Sequence, residues 1–114
     1  MHEAMVAENL LATMTRELAG RNGRVLSAKI SCGRLYAIND EALRFAFDAL
    51  ARGTACEGAT LHIEHKPPRM RCTRCGYQFG LACDQCTCPQ CGAEQLELLA
   101  DAPLLLEEIE LETE

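Results

Sequence analysis

The chain has 114 residues, 48% of them hydrophobic, with no Trp and 4% aromatic residues. That leaves room for one compact domain, or a small core carrying a metal-stapled module. A formal net charge of −6 argues against a general nucleic-acid binder. No apolar run is long enough to span a bilayer, and Glu3, Glu8, Arg16 and Glu17 interrupt the segment where a secretion signal would need its apolar stretch. A cytoplasmic, reducing location is therefore expected, and there clustered cysteines read as metal ligands rather than disulfides.

Val6, Leu10, Met14 and Leu18 recur at helical spacing, with Met5 and Leu11 widening the stripe and Gly20 and Gly23 ending it, so residues 3–19 read as an amphipathic helix. From Val25 to Cys32 the period changes to two. Leu26, Ala28, Ile30 and Cys32 form the apolar face of a half-buried strand, against Val25, Ser27, Lys29 and Ser31. Asn39 is placed to cap a second helix, with Asp40 and Glu41 in its first turn, where negative charge suits the helix dipole. Leu43, Ala46, Phe47 and Leu50 make its buried stripe, and Gly53 stops it. Residues 59–65 alternate again, with Leu61, Ile63 and His65 on one face and His62 and Glu64 on the other, until Pro67-Pro68 closes the strand.

After a cysteine-rich segment, Leu96–Ala100 and Leu104–Leu111 read as strands around an Asp101-Ala102-Pro103 turn. In the last strand Leu105, Ile109 and Leu111 share a face, with Glu107 breaking the pattern. Glu107, Glu108, Glu110, Glu112 and Glu114 make the end acidic, as a solvated strand face and frayed terminus would be. The order predicts an α+β fold: a small sheet with two helices on one face, and a zinc-ribbon-like module inserted in its second half. Residues 1–67 and 96–114 would form the α+β domain and residues 68–95 the metal module.

Six of the eight cysteines lie between Cys72 and Cys91. Cys72-x-x-Cys75-Gly76 and Cys88-Pro89-x-Cys91-Gly92 have the form of metal knuckles, two thiolates one tight turn apart, with a Gly that accepts the positive φ of the turn. Cys83-x-x-Cys86 has the same spacing, but Thr87 follows it and Cys88 crowds it. The favoured ligand set is Cys72, Cys75, Cys88 and Cys91, separated by a twelve-residue loop, with Cys83 and Cys86 as spare thiols, alternative ligands or a redox-sensitive pair. A closed Cys₄ site suits structural zinc. Iron is the competitor, since the knuckles also resemble those of rubredoxin, although the gap is short and only Tyr77 and Phe79 supply aromatic cover. Cys32 and Cys56 stand apart as small buried hydrophobes.

At the other end, the bulky His2 is expected to preserve Met1. The Met1 amine, the His2 amide and imidazole, and a Glu3 atom could then close chelate rings of the nitrogen-rich kind that Ni²⁺ or Cu²⁺ prefers. The first amides of a helix lack intrahelical acceptors and are free to take part. Three residues carry little weight alone, because a terminal His is usually just solvated.

The wider pattern is more specific. Met1-His2-Glu3, Leu10-Leu11, Phe45-Ala46-Phe47-Asp48 with Arg52-Gly53, the run from Glu57 to Glu64, both knuckles and Glu108-Ile109-Glu110-Leu111 follow in order along the chain. In this the chain resembles the HypA/HybF family of hydrogenase maturation nickel chaperones. The resemblance implies Ni²⁺ held as cargo by Met1, His2 and Glu3, and structural Zn²⁺ held by Cys72, Cys75, Cys88 and Cys91. It implies delivery to a [NiFe]-hydrogenase large-subunit precursor together with a maturation GTPase, with urease as a further client of some members. Cys83-x-x-Cys86 departs from the family pattern.

No Gly-rich phosphate loop or Ser/His/Asp arrangement is present in the sequence, so a metal-delivery protein is expected rather than an enzyme. The alternatives are a zinc-ribbon module for nucleic acid or protein, for which Lys66, Arg69, Arg71 and Arg74 form a local basic patch, and a rubredoxin-like electron carrier. The expected state is a monomer or weak homodimer, with neither nucleic acid nor membrane as partner.

Overall fold

The computed structural model describes residues 2–81 and 86–113; Met1, Cys83 and Glu114 lie outside them. Helix α1 runs Glu3–Glu17 and buries Val6, Ala7, Leu10 and Met14. Leu18, just past its end, is also buried, but Met5 is 58% exposed and does not widen the stripe. Strand β1 (Gly23–Gly33) leads through a short 3₁₀ turn, Arg34–Tyr36, into helix α2, Asp40–Ala51. Asn39 caps α2 as expected: its side-chain oxygen accepts the Ala42 N–H at 2.9 Å. Leu43 and Phe47 are fully buried, each removal from water contributing roughly 1.5–3 kcal/mol. The stripe then continues through Ala51 rather than Leu50, which is 39% exposed.

Strand β2 (Thr60–Lys66) pairs parallel with β1, and β6 (Leu105–Thr113) pairs antiparallel with its other edge, giving the order β2-β1-β6. One face of this sheet packs under both helices in a single core that includes Val25, Ala28, Ile30, Cys32 and Leu61.

Two bulges correct the expected strand faces. Val25 pairs with Leu111 and Ser27 with Glu110, which leaves Leu26 as an extra residue. Alternation is thereby shifted: Val25 is buried at 1% exposure and joins Ala28 and Ile30, whereas Leu26 is only half-buried. On β6, Ile30 pairs with Leu106 and Lys29 with Glu108, so Glu107 is the extra residue. Leu106, not Leu105, therefore packs with Ile109 and Leu111 against the core, and Leu105 is 46% exposed.

The second sheet consists of β3 (Arg69–Cys72), β4 (Gln78–Gly80) and β5 (Leu96–Leu98), all antiparallel, in the order β4-β3-β5. Leu96–Leu98 thus extends the cysteine-bearing sheet past residue 95 instead of joining β1. Its core is minimal, with Cys72, Cys88 and Ala93 buried and Leu96 packed beside them.

Candidate metal centres

The two knuckles are built alike. Gly76 N–H donates to the Cys72 carbonyl and Gly92 N–H to the Cys88 carbonyl, each at 2.8 Å, with Gly76 at φ 81° and Gly92 at φ 75°. Cys72 N–H then bonds the Tyr77 carbonyl, and Cys88 N–H the Ala93 carbonyl, both at 2.9 Å. These turns aim all four sulfurs at one point. Cys72 Sγ lies 3.6 Å from Cys91 Sγ and Cys75 Sγ 3.6 Å from Cys88 Sγ, and the four sulfurs all fall within 4.8 Å of one another. Ligands about 2.3 Å from a tetrahedral cation are about 3.8 Å apart, so the cluster matches a Cys₄ zinc site.

Backbone N–H groups already point at the sulfurs. Cys75 N–H donates to Cys72 Sγ and Gln90 N–H to Cys88 Sγ, each at 3.4 Å. The Cys75 N–H is the main cause holding the Cys72 thiol down at about 6. At Cys75 the Tyr77 N–H pulls the thiol down, but burial and the Cys88, Cys91 and Cys72 sulfurs together outweigh it and push Cys75 up to about 12. A cation held by the four sulfurs would deprotonate the whole set. Cys86 is exposed and stands outside this group. The patch beside the knuckles is partly neutralised: Arg71 forms a two-pronged pair with Glu97, and Lys66 meets Glu107 at 3.5 Å.

At the other end, His2 occupies the N-cap position of α1 in an extended conformation, and its imidazole makes no capping bond. It is exposed. Its carbonyl accepts the Val6 N–H at 3.2 Å, starting the helix. Glu3 turns toward α2, where its carboxylate accepts the Asn39 N–H at 3.2 Å; that bond is the main reason Glu3 sits below the ordinary glutamate range. Beside Asn39, Asp40 pairs with His65 Nε2. The beginnings of both helices are therefore linked, one carrying His2 and Glu3 and the other Asp40. Local pattern shows Asp40 only as a partner of the helix dipole, because His65 lies 25 residues away along the chain. His62 is exposed and His65 half-buried, on opposite faces of β2.

A family model described as hydrogenase/urease nickel incorporation, metallochaperone, hypA matches residues 1–111. The chain belongs to the HypA family. Its curated HypA relatives include the hydrogenase maturation factor HypA of Geotalea daltonii, 38% identical over 104 residues that cover 91% of this chain and 93% of the relative. The corresponding factor of Syntrophus aciditrophicus is 36% identical over 116 residues, with 100% of both chains covered. Among solved structures, the Ni metallochaperone HypA from Helicobacter pylori matches with a TM-score of 0.65 at 20% identity, over 100% of both chains. A second HypA solution structure matches at 0.70, also with 20% identity, over 100% of this chain and 98% of that one. The two structures support the α+β fold with its cysteine module; the family is one of metallochaperones and maturation factors, not enzymes. Among the described residues no helix is long and apolar enough to cross a membrane.

Proposed function

We propose that this HypA-family chain carries Ni²⁺ to a [NiFe]-hydrogenase large-subunit precursor, acting in the cytoplasm with a maturation GTPase, and that urease is a further client. The nickel donors are the Met1 amine, His2 and Glu3. Zn²⁺ held by Cys72, Cys75, Cys88 and Cys91 has a structural part, since four thiolates leave no open position for chemistry. The chain then divides into a nickel-binding unit made of the helices and the β2-β1-β6 sheet, and a zinc unit from residue 68 through β5. It works as a monomer or weak homodimer.

The observation that carries this reading is His2 at the N-cap of α1 with its imidazole free of any capping bond, in a chain whose residues 1–111 match a nickel-incorporation family. The first amides of α1 have no acceptors within the helix, and the Glu3 carboxylate and Asp40 bring negative charge to a place where two helix dipoles would otherwise repel a cation. Nickel titration of the intact protein is the test, beside His2→Ala and a variant with one residue added before His2. Both changes are expected to abolish nickel binding while zinc content and fold persist. Unchanged nickel affinity in either variant would refute the N-terminal site.

A further inference from the structure

Apart from the knuckles and the N-terminus, ligand-type side chains also converge at the carboxyl ends of β1 and β2. Cys32 and His65 are direct partners in the parallel register. Cys32 Sγ lies 3.9 Å from His65 Nδ1, and on the far side of the ring Nε2 meets Asp40 Oδ1 at 2.5 Å. Cys32 is fully buried, whereas the His65 and Asp40 side chains are 28% and 37% exposed, so the ring spans from the core to the surface.

Two features set this apart from a small hydrophobe lying beside a ring. First, a metal–sulfur bond of about 2.3 Å and a metal–nitrogen bond of about 2.0–2.1 Å place the two ligand atoms about 3.6–3.8 Å apart at tetrahedral to trigonal angles. A slight opening reaches the observed separation. Second, a carboxylate on Nε2 fixes the proton there and leaves the Nδ1 lone pair facing the sulfur, the arrangement that commonly supports a metal-bound imidazole. Burial raises the Cys32 thiol, and the charges of Asp40 and Asp101 push it the same way. Without a cation the sulfur therefore keeps its proton and can give His65 only a weak S–H···N contact.

We propose that Cys32 Sγ and His65 Nδ1 form a second cation site, for a thiophilic divalent ion, with Asp40 orienting the imidazole from behind. Binding breaks the Cys32 S–H bond, releases that proton to solvent and forms one metal–sulfur and one metal–nitrogen bond, with no change of oxidation state. A mixed sulfur–nitrogen pair selects zinc-like ions over Mg²⁺ or Ca²⁺, which require oxygen ligands.

The test uses the full chain with zinc in its Cys₄ cluster and His2→Ala in place, so that its outcome is independent of the proposed nickel site. Titration with Co²⁺ should add one cobalt per chain and a thiolate-to-cobalt charge-transfer absorption, without release of zinc. Cys32→Ser should remove that absorption. His65→Gln, at a half-exposed position that tolerates the change, should weaken cobalt binding at least ~10-fold, and it carries the test if Cys32→Ser does not fold. Failure to bind a further cobalt overturns the proposal. So does a charge-transfer band that survives Cys32→Ser or His65→Gln undiminished, since it would then come from exchange into the knuckles.

Discussion

The Glu3 carboxylate accepts the backbone N–H of Asn39 at 3.2 Å, so the first residue of α1 is bonded to the residue that caps α2. Because the Asn39 N–H favours the ionised form, the folded chain holds this carboxyl below the ordinary glutamate range. The stabilisation is complete above the unfolded-state value and is lost as pH falls through the lower folded one. Urea midpoints measured from about pH 7 to about pH 3 should therefore decline with a slope that is shallower in Glu3→Gln. An identical slope in both chains would remove Glu3 from the account.

Asn39 itself is predicted to matter for stability. Asn39→Ala removes the acceptor for the Ala42 N–H and should cost about 0.5–2 kcal/mol, whereas Asn39→Asp should restore most of it. Thermal or urea unfolding of the two variants checks the order.

Gly33 is backed by the Asp101 carboxylate: a Cβ at Gly33 would come within 1.7 Å of Asp101 Oδ1. Both Asp101 oxygens are buried without a hydrogen-bond partner among the described residues, and Gly33 N–H bonds the neighbouring Ala102 carbonyl at 3.0 Å. Gly33→Ala should destabilise by about 1–3 kcal/mol through overpacking. Adding Asp101→Ala should recover most of that loss, because it removes both the clash and an unpaired carboxylate. A double-mutant cycle without coupling would contradict this.

Phe47 is fully buried between the helices and the sheet, and Phe47→Ala should cost about 3–5 kcal/mol. The same change at Phe45, which is 77% exposed, should stay within about 0.5 kcal/mol. Denaturant unfolding of the pair separates core from surface on one helix.

Metal removal should act on one part of the chain. Among the described residues the cysteine-bearing unit buries Cys72, Cys88, Ala93 and Phe79, too little apolar surface to hold β3, β4 and β5 alone. Chelation, or Cys72→Ala, is expected to strip amide protection from residues 69–98 while Ile30 and Phe47 stay protected in hydrogen exchange. Equal loss in both regions would show that the units unfold together.

Much of this was legible from local pattern. Helical spacing located α1 and α2, Asn39 marked its cap, and the Gly after each Cys pair marked turns that need positive φ. The Leu26 and Glu107 bulges were not legible, because an extra residue is defined only against a partner strand. Nor were the contacts of Glu3 with Asn39, Asp40 with His65 or Cys32 with His65, each between residues far apart in the chain.

By itself, then, the sequence determined the periods of the helices and strands, the geometry of the knuckles and the family, since these depend on neighbours along the chain. Only the tertiary structure decided which face Val25 and Leu106 present, which sheet receives Leu96–Leu98, and what surrounds His65. Those outcomes rest on strand register and on packing between distant segments, and a through-space partner leaves no mark on local spacing.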